Sequence, residues 1–102
     1  MLQVDLAALE QALADGAPVI DVREAGEYAQ AHVPGVTLIP LSEFTIRYGE
    51  IPAAPVVYVI CAMGGRSAQA AQFLGAAGIN AANVDGGTDA WIASGRPVET
   101  GA

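Results

Sequence analysis

The sequence predicts an α/β fold: a single compact domain on a mostly parallel sheet of four to five strands, with helices on both faces. Three observations carry this expectation. Helical and strand signals alternate along the chain. The strand segments are continuous apolar runs, as strands buried on both faces require. Strand–helix alternation gives parallel pairing through crossover helices. At 102 residues the chain has room for one such domain and one core. No linker, repeat or composition shift divides it, so the whole of 1–102 is read as that domain.

The elements follow in order. Asp5 is a helix N-cap, and Leu6, Leu9 and Leu13 repeat at helical spacing until Gly16 stops them. Pro18 to Val22 is a short buried strand. Glu24 to Ala31 is a short helix with acids in its first turn, where the helix dipole favours them. Val33-Pro34-Gly35 is a turn, and Val36 to Ile39 a second strand closed by Pro40. Ser42-Glu43-Phe44 opens a helical turn, and Arg47 to Pro55, with Gly49, Pro52 and Pro55, reads as loop. Val56-Val57-Tyr58-Val59-Ile60 is the strongest strand signal in the chain. A helix runs from Ser67 to about Ala77, with Gly78 past its end. Ala82 to Asp85 is a fourth strand, and Thr88 to Ala93 a last helix with Thr88 as its cap and Trp91 facing the core. The order is therefore helix first, then strands and helices in turn.

Composition narrows the function. The chain is 53% apolar and 15% charged, a globular and not a disordered balance. It has four arginines, no lysine and eleven acids, for a net charge of −7. That excludes the cationic face a nucleic-acid binder needs, and it opposes docking on an anionic membrane. One cysteine excludes an internal disulfide, and one cysteine with one histidine is too few for structural zinc. No metal or cofactor is expected. No apolar run is long enough to span a bilayer, and Asp5 and Glu10 interrupt any leader-like segment at the N-terminus. A reducing cytoplasm is the expected compartment.

The chemistry gathers after the strongest strand. In open α/β sheets ligands sit beyond the carboxyl ends of the strands. There the sequence reads Cys61-Ala62-Met63-Gly64-Gly65-Arg66-Ser67, and a helix follows. The helix N-terminus offers unpaired N–H groups and partial positive charge. The two glycines let successive amides curl toward one point, an anion nest. Arg66 adds a cation with a planar fork of donors. Each effect favours a thiolate over a thiol, and the thiolate is the nucleophile. A lone cysteine is more often a small buried apolar residue. The strand–cysteine–glycine loop–arginine–helix setting favours the reactive reading.

Three segments, in order, then resemble the rhodanese-like sulfurtransferases. They are the loop Cys61-x-x-Gly64-x-Arg66-Ser67, the stretch from Asp21-Val22-Arg23-Glu24 through Glu27-Tyr28 to His32-Val33-Pro34-Gly35-Val36, and Asp85-Gly86-Gly87-Thr88-Asp89-Ala90-Trp91. The resemblance implies a compact α/β domain in which Cys61 takes the outer sulfur of thiosulfate or of a persulfide. Cys61 then passes that sulfur to cyanide or a thiol. It implies substrate contacts from Ala62, Met63, Gly64, Gly65, Arg66 and Ser67, with the backbone amides holding the anionic outer sulfur and Arg66 closing the loop. The partners it implies are small sulfur donors and acceptors, or a protein that carries the sulfur. Phosphatases related to this family carry a loop that resembles Cys-x5-Arg. Here four residues separate Cys61 from Arg66, a smaller cradle suited to one sulfur atom, which disfavours a phosphatase or an arsenate reductase. A non-catalytic binding or sensing module on the same fold is the other alternative. Well-known thiosulfate enzymes of the family place cationic or polar side chains in the loop. Ala62, Met63 and Gly65 do not, so a persulfide donor stands beside thiosulfate.

Five residues invite further functional readings. Asp21 and Arg23 fall near the cysteine and either shape its pocket or form a structural ion pair, the commoner arrangement. His32 invites a Cys–His dyad but is better read as packed. Ser67 is read first as the helix N-cap and second as a hydrogen-bond donor to the sulfur. Met63 is a candidate apolar lip.

Overall fold

The computed structural model describes residues 1–102. Its centre is one five-stranded, all-parallel sheet in the order β1-β5-β4-β2-β3. The strands are β1 (Leu2–Val4), β2 (Val19–Asp21), β3 (Thr37–Leu38), β4 (Val57–Ile60) and β5 (Ala81–Val84). The helices are α1 (Leu6–Ala14), α2 (Ala25–Gln30), α3 (Leu41–Arg47), α4 (Gly65–Ala76) and α5 (Gly87–Ala93), with a 3-10 turn at Tyr48–Glu50. The parallel α/β class is as the sequence predicts.

The apolar runs are explained by burial on both sides. Successive strand residues point to opposite faces. In β4, Val57 and Val59 join the core under α3 and α4, while Ile60 joins the core against α1 and α5. Ile20 and Val19 of β2 divide the same way. The period continues one residue past β4, which puts Cys61 on the α4 side with Val57 and Val59. Phe44 of α3 and Ala70, Ala71 and Leu74 of α4 fill that side; Leu9 of α1 and Trp91 of α5 fill the other.

Strand order places the site. The chain builds β2 and β3 outward in one direction, then returns to lay β4 on the free side of β2 and β5 beyond it. The connections leaving β2 and β4 therefore diverge to opposite faces. The crevice between their carboxyl ends is the switch point where such sheets bind ligands.

Several boundaries differ from the sequence reading. A strand, β1, precedes the first helix and pairs with β5; it is three residues long and mostly exposed, so it carries no apolar run to read. Arg47 is not loop: α3 extends through it, and the 3-10 turn takes Tyr48–Glu50. Glu43, Arg47 and Glu50 hold that end together, with Arg47 bridging both acids. The fourth strand ends at Val84, one residue before Asp85. The helices α4 and α5 begin at Gly65 and Gly87, each capped by a left-handed glycine, Gly64 and Gly86. Ser67 and Thr88 therefore lie inside the first turn and are not caps. Only glycine takes such a φ without strain, which is why the polar residue downstream misled. Asp5 does cap α1, accepting from Ala8 N at 2.9 Å.

Candidate active site

Cys61 is 1% exposed, yet its sulfur is not simply packed in oil. Sγ accepts from Gly64 N at 3.0 Å and from Ser67 Oγ at 3.2 Å. The turn that brings Gly64 back over the sulfur needs its left-handed φ of 115°. Burial pushes the thiol up. The Ser67 hydroxyl and the amides of Ser67, Gly64 and Met63 push it down more strongly, so the net shift is below the ordinary cysteine value.

The amides face the sulfur because the carbonyls are held elsewhere. Thr88 N donates to Cys61 O at 2.8 Å and Asp89 N donates to Ala62 O at 3.0 Å, both from the first turn of α5. In a trans peptide the N–H points opposite its C=O. Anchoring these two carbonyls on α5 therefore turns the N–H groups of Ala62 and Met63 away from α5. The N–H groups of Gly65 and Arg66 are free as well, because a first helical turn has no internal acceptors for them, while those of Ser67, Gly64 and Met63 act on Sγ. No backbone carbonyl takes the amides of Ala62 and Met63. The loop thus offers a set of unspent donors around one sulfur.

The anchor depends on Gly87. A Cβ built there would lie 2.5 Å from both Cys61 O and Ala62 O, and φ is +61°. The sequence shows this residue only as part of a glycine pair; the close approach is a tertiary fact.

Arg66 does something other than bond the thiolate. Its guanidinium forks onto Glu27, with Nη1–Oε1 at 2.7 Å and Nη2–Oε2 at 2.9 Å. Glu27 Oε1 also accepts from Glu24 N at 3.0 Å, closing the first turn of α2. One carboxylate thus ties α2 to α4 across the crevice. The Arg66 hydrogen bonds hold Glu27 down at about 2, against burial, with help from the Glu24 amide and the charges of Arg66 and Arg23. Glu27 in turn raises Arg66.

Asp21 and Arg23 form a buried pair, with Nη2–Oδ2 at 2.8 Å, and Arg23 also donates to the carbonyls of Glu27 and Ala31 at the end of α2. Arg23 lines a shallow depression of about 180 Å³ shared with Ala62, Glu27, Gln30, Asp89 and Ile92. Met63 is 75% exposed at the loop tip. His32 stacks on Tyr28 with ring centres 3.7 Å apart, and its Nδ1 lies 2.8 Å from Tyr28 O. It is packed away from Cys61, as the sequence reading favours. Trp91 is core, donating from Nε1 to Pro97 O at 2.7 Å.

The model of the rhodanese-like domain matches residues 5–94. The chain belongs to the rhodanese-like family. A protein named sulfurtransferase from Allochromatium vinosum is 35% identical over 99 residues, covering 94% of this chain and 92% of that one. A thiosulfate sulfurtransferase, GlpE, from Actinobacillus pleuropneumoniae is 33% identical, covering 84% and 81%. A rhodanese-related protein from Thermoplasma volcanium superposes with a TM-score of 0.89 at 33% identity over 97% and 98% of the two chains. The largest cavity of this rhodanese-like chain, about 450 Å³, lies at the other end of the sheet, between Asp15–Pro18 and Pro52–Tyr58. Cys61 does not line it. No helix is long and apolar enough to cross a membrane.

Glu27 and Gly87, which the sequence reading quotes only within the resembling segments and gives no role, provide direct tests. Gly87→Ala is expected to cost about 2–4 kcal/mol, from strained backbone and two lost anchors. It is also expected to slow Cys61 alkylation by iodoacetamide at neutral pH; urea unfolding and alkylation rates check both. Glu27 has a folded pKa of about 2, below its ordinary 4.5. Its contribution is therefore complete above about pH 4.5 and is lost as pH falls toward 2. Both partners are more than a third exposed, at 37% and 38%, so screening limits the effect to about 1 kcal/mol or less. Glu27→Gln should flatten that part of the acid-unfolding profile.

Proposed function

We propose that this chain transfers sulfane sulfur through a persulfide on Cys61. The observation that supports the reading most is the cluster of hydrogen-bond donors around Sγ, set in a loop with four residues between Cys61 and Arg66. The thiolate attacks the outer sulfur of a donor. The new S–S bond takes the thiolate's electron pair, and the old bond's pair leaves on sulfite or on the donor thiolate. The outer sulfur of Cys61 then carries the negative charge, and the amides of the Ala62–Arg66 loop hold it. Arg66 fixes the loop by its grip on Glu27. Asp21 and Arg23 shape the adjoining wall. An acceptor thiolate or cyanide attacks the outer sulfur and returns Cys61 to its thiolate.

Charge favours a persulfide over thiosulfate as donor. All four arginines are paired: Arg23 with Asp21, Arg47 with Glu43 and Glu50, Arg66 with Glu27 and Arg96 with Glu10. With no lysine in the chain, a dianion meets no free side-chain cation, while Asp89 sits at the rim of the depression beside Ala62. A persulfide on a small thiol or on a protein brings less negative charge to the same spot. The four-residue spacing between Cys61 and Arg66 also supports a cradle for one sulfur atom over one for a tetrahedral oxyanion, which weighs against phosphatase chemistry.

Intact mass spectrometry after exposure to glutathione persulfide and to thiosulfate tests this. The expected result is an increase equal to one sulfur atom, absent in Cys61→Ala. Loading should be faster from the persulfide, and salt should accelerate loading from thiosulfate by screening. No adduct from either donor would overturn the reading and leave a non-catalytic module.

A further inference from the structure

Asn83 is a buried polar residue in β5, in a run that is otherwise Ala81, Ala82 and Val84. Its amide orientation is fixed by its neighbours. Nδ2 donates to Gly64 O and to Gln3 Oε1, each at 3.1 Å. A backbone carbonyl only accepts, so the nitrogen must face Gly64 and Oδ1 must face Ser67. Ser67 Oγ lies 2.5 Å from that oxygen and 3.2 Å from Cys61 Sγ. Ser67 has one hydroxyl proton, and two acceptors compete for it.

We propose that Asn83 is a positioning residue that holds the Ser67 hydroxyl proton while Sγ is uncharged and yields it when negative charge returns to Sγ. The proposal rests on the sulfur-transfer reading of Cys61. In the thiol, S–H donates to Oγ and O–H donates to Asn83, a fully satisfied chain. In the persulfide the charge sits on the outer sulfur, Sγ is a weak acceptor, and the proton stays with Asn83. When an acceptor thiolate attacks, its electron pair forms the new S–S bond and the old pair retires onto Sγ. The hydroxyl then rotates about its own C–O bond from Oδ1 to the new thiolate. No heavy atom moves, no proton is gained or lost, and a neutral hydrogen bond becomes a stronger charge-assisted one as the charge develops. The competing acceptor also moderates the thiolate, whose nucleophilicity falls as its pKa falls.

The test is the pH dependence of Cys61 alkylation by iodoacetamide, which reads the thiol pKa without any sulfur transfer. Asn83→Leu removes the acceptor at nearly constant shape, and Asn83→Val, a better strand former, is the second variant. Ser67→Ala should raise the Cys61 pKa. Either Asn83 variant should lower it by roughly half a unit to one unit, the scale of one redirected hydrogen bond. In a Ser67→Ala background the Asn83 substitutions should leave the raised value unchanged, because no hydroxyl remains to redirect. The charged groups on the surrounding elements, the pairs Asp21–Arg23 and Glu27–Arg66 and the carboxylate of Asp89, are the same throughout the series. An unchanged or raised pKa in the single variants would overturn the proposal. So would an equal shift with and without Ser67, which would mark Asn83 as a loop support only. A chain that loads no sulfur but shows this pattern would overturn the transfer reading and leave the hydroxyl relay standing.

Discussion

Two hydrogen bonds from α5, Thr88 N to Cys61 O and Asp89 N to Ala62 O, set the orientation of the peptide planes that enclose the sulfur. Once those carbonyls are anchored, planarity sends the attached amides the other way, and the loop becomes a donor set. Gly87 permits the approach because no Cβ stands between α5 and the loop. Gly64 completes the turn from the other side. The site is therefore built by backbone, with Ser67 as the one side-chain donor to Sγ. That economy suits the proposed reaction, in which sulfur moves with its charge and no group must be protonated on the way.

The electrostatics separate into local and global parts. The chain carries a net charge of −7, and each arginine is bound to an acid. What favours negative sulfur at Cys61 is short-range: aligned amides and a hydroxyl in a buried place, where such dipoles act with little screening. The same arrangement gives weak attraction to distant anions. Arg66 belongs to this logic as a brace. Its fork on Glu27 joins the helix after the cysteine to the helix after β2.

Much of this was legible in the sequence because it depends on local pattern. The unbroken run before Cys61 marks a central parallel strand, and the glycines and helix behind it mark an anion-favouring loop. Asp5 at its cap, Trp91 in the core and a packed His32 likewise follow from residue type and neighbours; that Tyr28 is the partner of His32 does not. What escaped depends on contacts across the chain. Glu27 meets Arg66 from a different helix, and Gly87 matters only because a loop 26 positions earlier touches it. Asn83 did leave a trace, since a polar amide inside an apolar strand needs buried partners. Ser67 and Thr88 were misread as caps because left-handed glycines had already taken that position.

Hydrogen-bond donors outweigh burial at this one cysteine. Ultraviolet titration of the thiolate measures it directly, since Cys61 is the only thiol in the chain. An apparent pKa below the ordinary ~8.5 of a free cysteine is expected. A value at or above that figure would show that desolvation wins, and that the enclosed sulfur is a core residue and not a nucleophile.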